Sequence, residues 1–167
     1  MKLTENFSLN ELTKSQTAER KGIDNTPSTE HQENLKRLCE TILQRIRDHF
    51  GQVVSVSSGY RSPELCVAIG SSTKSQHAKG QASDFEIFGV SNKELADWID
   101  ENLDYDQLIL EYWKESDPNS GWIHCSFNTL IFYSITKLSC CYTFTFKAHT
   151  HTILNTVFFN FMINKHK

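Results

Sequence analysis

Apolar residues recur at spacings of three and four across residues 30–50. Leu35, Leu38, Ile42, Ile46 and Phe50 fall on one stripe, the signature of an amphipathic helix. Glu30, Glu33, Lys36, Arg37, Glu40, Arg45 and Arg47 fill much of the remainder, and Gly51 is a natural stop. Upstream, Ser8 and Glu11 form a capping box that predicts a short helix, with Phe7 as its staple. Residues 13–29 are polar and predict a loop that ends in the turn-like Asn25-Thr26-Pro27-Ser28.

Downstream the pattern changes. Gln52 to Ser57 is short and β-branched, so a strand, and Ser58 to Pro63 turns. Glu64 to Ile69 predicts a short helix, Gly70 to Lys74 a small-residue loop, and Gln81 to Phe88 a second strand. Ser91 to Asn102 predicts a helix capped by Ser91, with Glu94 three residues on and Leu95, Trp98 and Ile99 as its apolar face. Tyr105 to Trp113 and Trp122 to Phe127 flank the turn Asp117-Pro118-Asn119-Ser120-Gly121, which predicts a hairpin. The expected fold is α+β: a small, mostly antiparallel sheet with helices packed on it.

A chain of 167 residues suffices for one domain with a real core. Hydrophobic content of 38% and charged content of 22% describe a globular protein. The net charge of -3 gives no reason to expect nucleic acid. No apolar run is long enough to span a membrane, and Met1 to Asn10 lacks the features of a secretory signal. The expectation is cytoplasmic synthesis of a monomer. The five cysteines include no CxxC pair, so free thiols are expected.

Charge divides the chain at its end. Every acidic residue lies at or before Asp117, and residues 128–167 carry four lysines with no Asp, Glu, Gly or Pro. Six of the 11 phenylalanines and the Cys140-Cys141 pair fall there. The expected division is a domain over 1–128 and an atypical tail over 129–167, with the composition of a frameshifted or mis-called end. A β-rich extension is the other reading. His149-Thr150-His151 has metal-like spacing, but in such a composition chance accounts for it.

The chemistry sits in Ser75-Gln76-His77-Ala78-Lys79-Gly80-Gln81-Ala82-Ser83-Asp84 and in Trp122-Ile123-His124-Cys125-Ser126-Phe127. In a strand alternate residues share a face, so Ala82, Asp84 and Glu86 point one way while Phe85 and Ile87 enter the core. Likewise His124 and Ser126 oppose Ile123, Cys125 and Phe127. Ala82 leaves room beside the carboxylate, and Gly80 allows the tight path that returns His77 toward Asp84. Two imidazoles and one carboxylate make a common open zinc site, with the fourth position left for water.

These segments, with Ser58-Gly59-Tyr60-Arg61-Ser62-Pro63-Glu64 before them, resemble the zinc D-alanyl-D-alanine carboxypeptidase family over about residues 3–128. The similarity is greatest to its small single-domain members from phages and prophages. The resemblance implies Zn2+ held by His77, Asp84 and His124. It implies a substrate-binding and catalytic arginine at Arg61, and a serine at Ser75 that steadies the site or the substrate backbone. Gln76 carries no role on this reading. The activity implied is hydrolysis of D-alanyl bonds in peptidoglycan stem peptides, on the cell wall after release or in a phage particle.

Many relatives place a Glu or His two or three residues before the last zinc histidine. Here those positions are Gly121 and Trp122, which cannot serve as a base. Glu111, in Asp106-Gln107-Leu108-Ile109-Leu110-Glu111, is the choice, because its strand should pair with that of His124. Glu86 is the runner-up. The alternatives are a zinc-binding module impaired in catalysis, a truncated product without activity, and a cysteine hydrolase using Cys125 or Cys66.

Overall fold

The computed structural model describes residues 1–128 and the strand Tyr142–Phe144. The capping box forms as expected. Ser8 accepts from the Glu11 amide at 3.3 Å, and the Glu11 carboxylate takes the Ser8 amide in return, opening α1 (Leu9–Thr13). The segment expected as a loop then holds a second helix, α2 (Gln16–Lys21). Ser15 caps it, but its one buried residue is Ala18, too little apolar periodicity to be read from sequence.

The long amphipathic stripe runs as α3 (Thr29–Leu38), a π-helical turn (Cys39–Leu43) and α4 (Gln44–Phe50), and it stops at Gly51. The wide turn lets Leu38, Cys39, Ile42 and Leu43 all face the core, where each is fully buried. The remaining elements are β1 (Ser55–Ser58), α5 (Pro63–Ala68), a 3-10 turn (Gln76–Lys79), β2 (Ala82–Glu86), α6 (Asn92–Asn102), β3 (Gln107–Glu111), β4 (Trp122–Ser126) and β5 (Tyr142–Phe144). Each strand is shorter than the sequence predicts. Val53, for instance, is 69% exposed and stays outside β1.

The strands form one sheet in the order β1-β2-β4-β3-β5, antiparallel throughout. The fold is therefore α+β with the predicted β3–β4 hairpin. One face carries Phe85, Ile123, Cys125, Leu108 and Leu110, all buried against the helical side of the core. Burying such side chains contributes about 1.5–3 kcal/mol apiece for the larger ones, enough to fix strand register. The opposite face carries Asp84 across from His124, and His124 across from Ile109.

Ser91 stands at the start of α6, but its side chain makes no capping bond. The hairpin loop supplies the contacts instead. The Asn92 amide donates to the Pro118 carbonyl at 3.2 Å, and Asn92 Nδ2 donates to the carbonyls of Ser120 and Gly121. Helix α6 thus anchors the turn that leads into β4. Among the described residues, no helix is long and apolar enough to cross a membrane. Of the tail, only the β5 backbone is described, paired with β3. His149 and His151 lie outside the described residues, as do Cys140 and Cys141.

Candidate metal centre

His77 enters the site from the 3-10 turn. Ser75 caps that turn by accepting from the His77 amide at 3.3 Å. Gly80 closes it at φ 68, and a Cβ there would press on the His31 carbonyl of α3. Only glycine fits both the left-handed backbone and the close approach. Asn34 on the same helix donates to the Lys79 carbonyl at 2.9 Å. The loop is thereby held to α3, and the tight path expected at Gly80 is present.

Asp84 and His124 face each other across the β2–β4 ladder. The three side chains converge: His77 Nε2 lies 3.3 Å from His124 Nδ1 and 3.2 Å from Asp84 Oδ1, and His124 Nδ1 lies 2.8 Å from Asp84 Oδ1. All three residues are buried. Ligands held about 2.0–2.1 Å from a tetrahedral zinc ion stand about 3.3 Å apart; the two separations from His77 match this, and the His124–Asp84 pair, at hydrogen-bond distance, is shorter. The chemistry of the donor set agrees. His77 Nδ1 donates to the Gly59 carbonyl at 2.7 Å. That leaves Nε2 to offer its lone pair inward, as metal-bound histidines do. Lone pairs on three buried acceptors need a cation or protons between them.

Electrostatics points the same way. Where protons rather than an ion lie between the three side chains, burial acts to raise the Asp84 carboxyl, but hydrogen bonds and charge from His124 and His77 outweigh it and hold the group well below the usual carboxylate range. Arg61 adds an ion pair, with Nη2 2.6 Å from Asp84 Oδ2, while its Nε donates to Ser58 Oγ at 2.9 Å. Asp84 therefore turns one oxygen to the histidines and the other to Arg61. In this arrangement the guanidinium orients the carboxylate.

Glu111 borders the same centre. Burial raises its carboxyl, Asp84 raises it further, and His124, His77 and Arg61 pull it back. Strand register puts Glu111 on the sheet face of Asp84 and His124, two positions along β3 from Ile109, which pairs with His124. Glu86 ends β2 opposite Ser55 on β1, one residue beyond Phe85–Ile123, the last pair that β2 makes with β4.

Three features escaped the sequence. The Gly59 carbonyl selects the His77 tautomer; its only signal is its place within the motif around Arg61. Gln76 has a role after all: its Nε2 donates to Asp106 Oδ2 at 2.8 Å, clamping the His77 turn to the start of β3. Gly121, at φ 71, packs so tightly that a Cβ there would collide with the Glu111 carbonyl. A side chain, acidic or not, has no space at this position, where the Gly121 backbone lies close against the end of β3 beside Glu111.

The described cysteines, Cys39, Cys66 and Cys125, are free and buried, as the sequence led us to expect. Burial pushes the Cys39 thiol up to about 12 and the Cys125 and Cys66 thiols also upward. None is poised as a nucleophile, which removes the cysteine-hydrolase alternative.

Two buried imidazoles and a carboxylate converge on one point, with Glu111 on the same sheet face, and form a group suited to hold a metal ion. The chain matches the Peptidase M15 family over residues 5–126 and belongs to it. That family consists of zinc metallopeptidases, and the His77–Asp84–His124 group is suited to hold the ion. No curated protein matches the chain significantly.

Proposed function

We propose that the protein hydrolyses D-alanyl peptide bonds, of the D-Ala-D-Ala type, in the stem peptides of bacterial peptidoglycan. The observation that carries the reading is the convergence of His77 Nε2, Asp84 Oδ1 and His124 Nδ1 within zinc-ligand spacing, bordered by Glu111. When bound, the ion supplies positive charge that acidifies a water and polarises a carbonyl.

The chain's own residues do the rest. Glu111, with its raised carboxyl, takes a proton from the attacking water and returns it to the departing amine. Arg61 keeps Asp84 oriented through Oδ2. A guanidinium carries five N–H donors, so others remain for a substrate carboxylate or a developing oxyanion. Ser75 holds the His77 turn. Of the two carboxylates, Glu111 is favoured as base because Asp84, His124, His77 and Arg61 all act on its carboxyl. The acid missing at Gly121 counts for less than it did in the sequence, since that position has no space for a side chain.

The test combines metal analysis of the purified protein with mass spectrometry of peptidoglycan and of a synthetic pentapeptide ending in D-Ala-D-Ala. One bound zinc and release of D-alanine, or opening of a cross-link, support the reading. Bound zinc without turnover of either substrate would select a catalytically impaired binding module instead.

A further inference from the structure

Tyr112 is the one residue besides glycine with positive φ among the described residues, at 55°. It is also 72% exposed and follows Glu111 directly. Bulky side chains seldom adopt this conformation, and residues held in it gather at functional sites. The Gly121 backbone packs against Glu111, Tyr112 and Trp113 and holds the turn in place. The Tyr112 ring lies across Trp122, with centroids 5.1 Å apart and planes at 37°.

Resting on the peptidase reading, we infer that Tyr112 is a substrate-positioning residue whose ring, backed by Trp122, supports the peptide two residues from the scissile bond. Trp122 stands two positions from His124 on β4, about 7 Å along the strand. An extended peptide with its scissile bond at His124 advances by the same rise, so its second residue arrives at the aromatic pair. In a stem pentapeptide cut between the two D-alanines, that residue is the diamino acid, whose aliphatic stem suits an aromatic face. A free D-Ala-D-Ala dipeptide does not reach it. Backbone strain therefore serves to lay an exposed ring along the substrate path.

The experiment compares Tyr112→Gly and Tyr112→Phe with the native chain on the pentapeptide and on the dipeptide. Pentapeptide binding by calorimetry and thermal melting are measured alongside. Glycine suits the left-handed backbone, so Tyr112→Gly should melt no lower than the native chain. Its preference for pentapeptide over dipeptide should fall about tenfold through KM, the loss expected for one aromatic contact. Tyr112→Phe should retain that preference. An unchanged preference in Tyr112→Gly, or an equal loss on both substrates, overturns the inference while leaving the peptidase reading intact. Pentapeptide binding that depends on Tyr112, with neither the pentapeptide nor peptidoglycan hydrolysed, sinks the peptidase reading and leaves the platform. A native chain that neither binds nor cleaves the pentapeptide sinks the platform, and with peptidoglycan left uncut as well it sinks both.

Discussion

The Nδ1–H of His77 donates to the Gly59 carbonyl at 2.7 Å, and this single bond decides which nitrogen faces Asp84 and His124. The carbonyl can only accept, so Nδ1 carries the proton and Nε2 the lone pair. The turn after β1 thus controls a donor that sits 18 residues away in sequence. Such outer contacts tune metal sites as much as the ligands do.

Asp84→Asn should bind far less than one zinc per chain, because it removes the only charge among the three donors and leaves Arg61 without its carboxylate. Elemental analysis after dialysis measures this directly. Full zinc content in the variant would mean that the ion is held elsewhere.

Glu111→Gln should keep its zinc and lose about 10²- to 10⁴-fold in kcat, the range for a general base. Hydrolysis at the native rate would move the role to Glu86 or elsewhere.

The same substitution has a thermal signature in chelator-treated protein. The native state holds the Glu111 proton more tightly than the unfolded chain, whose value is near 4.5. Stability from this group is therefore present below that value and is lost as pH rises through the raised one. Glu111→Gln should melt above the native chain at pH 7, with the gap closing toward pH 4. A gap that widens in acid contradicts the sign.

Gly121→Ala should lower stability by about 2 kcal/mol or more, since the new Cβ meets both a left-handed backbone and the Glu111 carbonyl. Chemical denaturation reads the loss. Restoring an acid at this position should thus damage the hairpin and yield no extra base. A stable Gly121→Glu variant with raised activity would refute this.

Gln76→Ala should weaken zinc binding about 10- to 100-fold while the fold persists, because it frees the His77 turn from Asp106. Competition with a chelator of known affinity gives the ratio, and unchanged affinity would reduce the clamp to a surface contact.

The sequence exposed what depends on short-range pattern. Leu35 to Phe50 announced its helix by spacing, and Ser8 with Glu11 announced its cap. Strand alternation turned Asp84 and His124 each away from the core, and the family motifs grouped them with His77; that their two strands are direct neighbours came from the structure. What stayed hidden depends on contacts between distant segments. Helix α2 buries only Ala18 and so has no periodic face. Ser91 had the right residue type for a cap, yet its side chain makes no capping bond, and the start of α6 is tied instead to the distant hairpin loop through Asn92. Nothing local marks Tyr112 as left-handed; the cause is Gly121, nine positions on and across the hairpin.

His77 and His124 lie 47 residues apart in sequence, yet their ring nitrogens stand 3.3 Å from each other. An ion shared between them works as a reversible crosslink around everything in between, including β2 and the β3–β4 hairpin. Stripping the metal therefore reaches beyond chemistry: it unlocks a closed loop of polypeptide. Proteases should then find first the small-residue segment before Ser75, which the bonds of Gln76 to Asp106, Asn34 to Lys79 and His77 to Gly59 must then anchor without the ion.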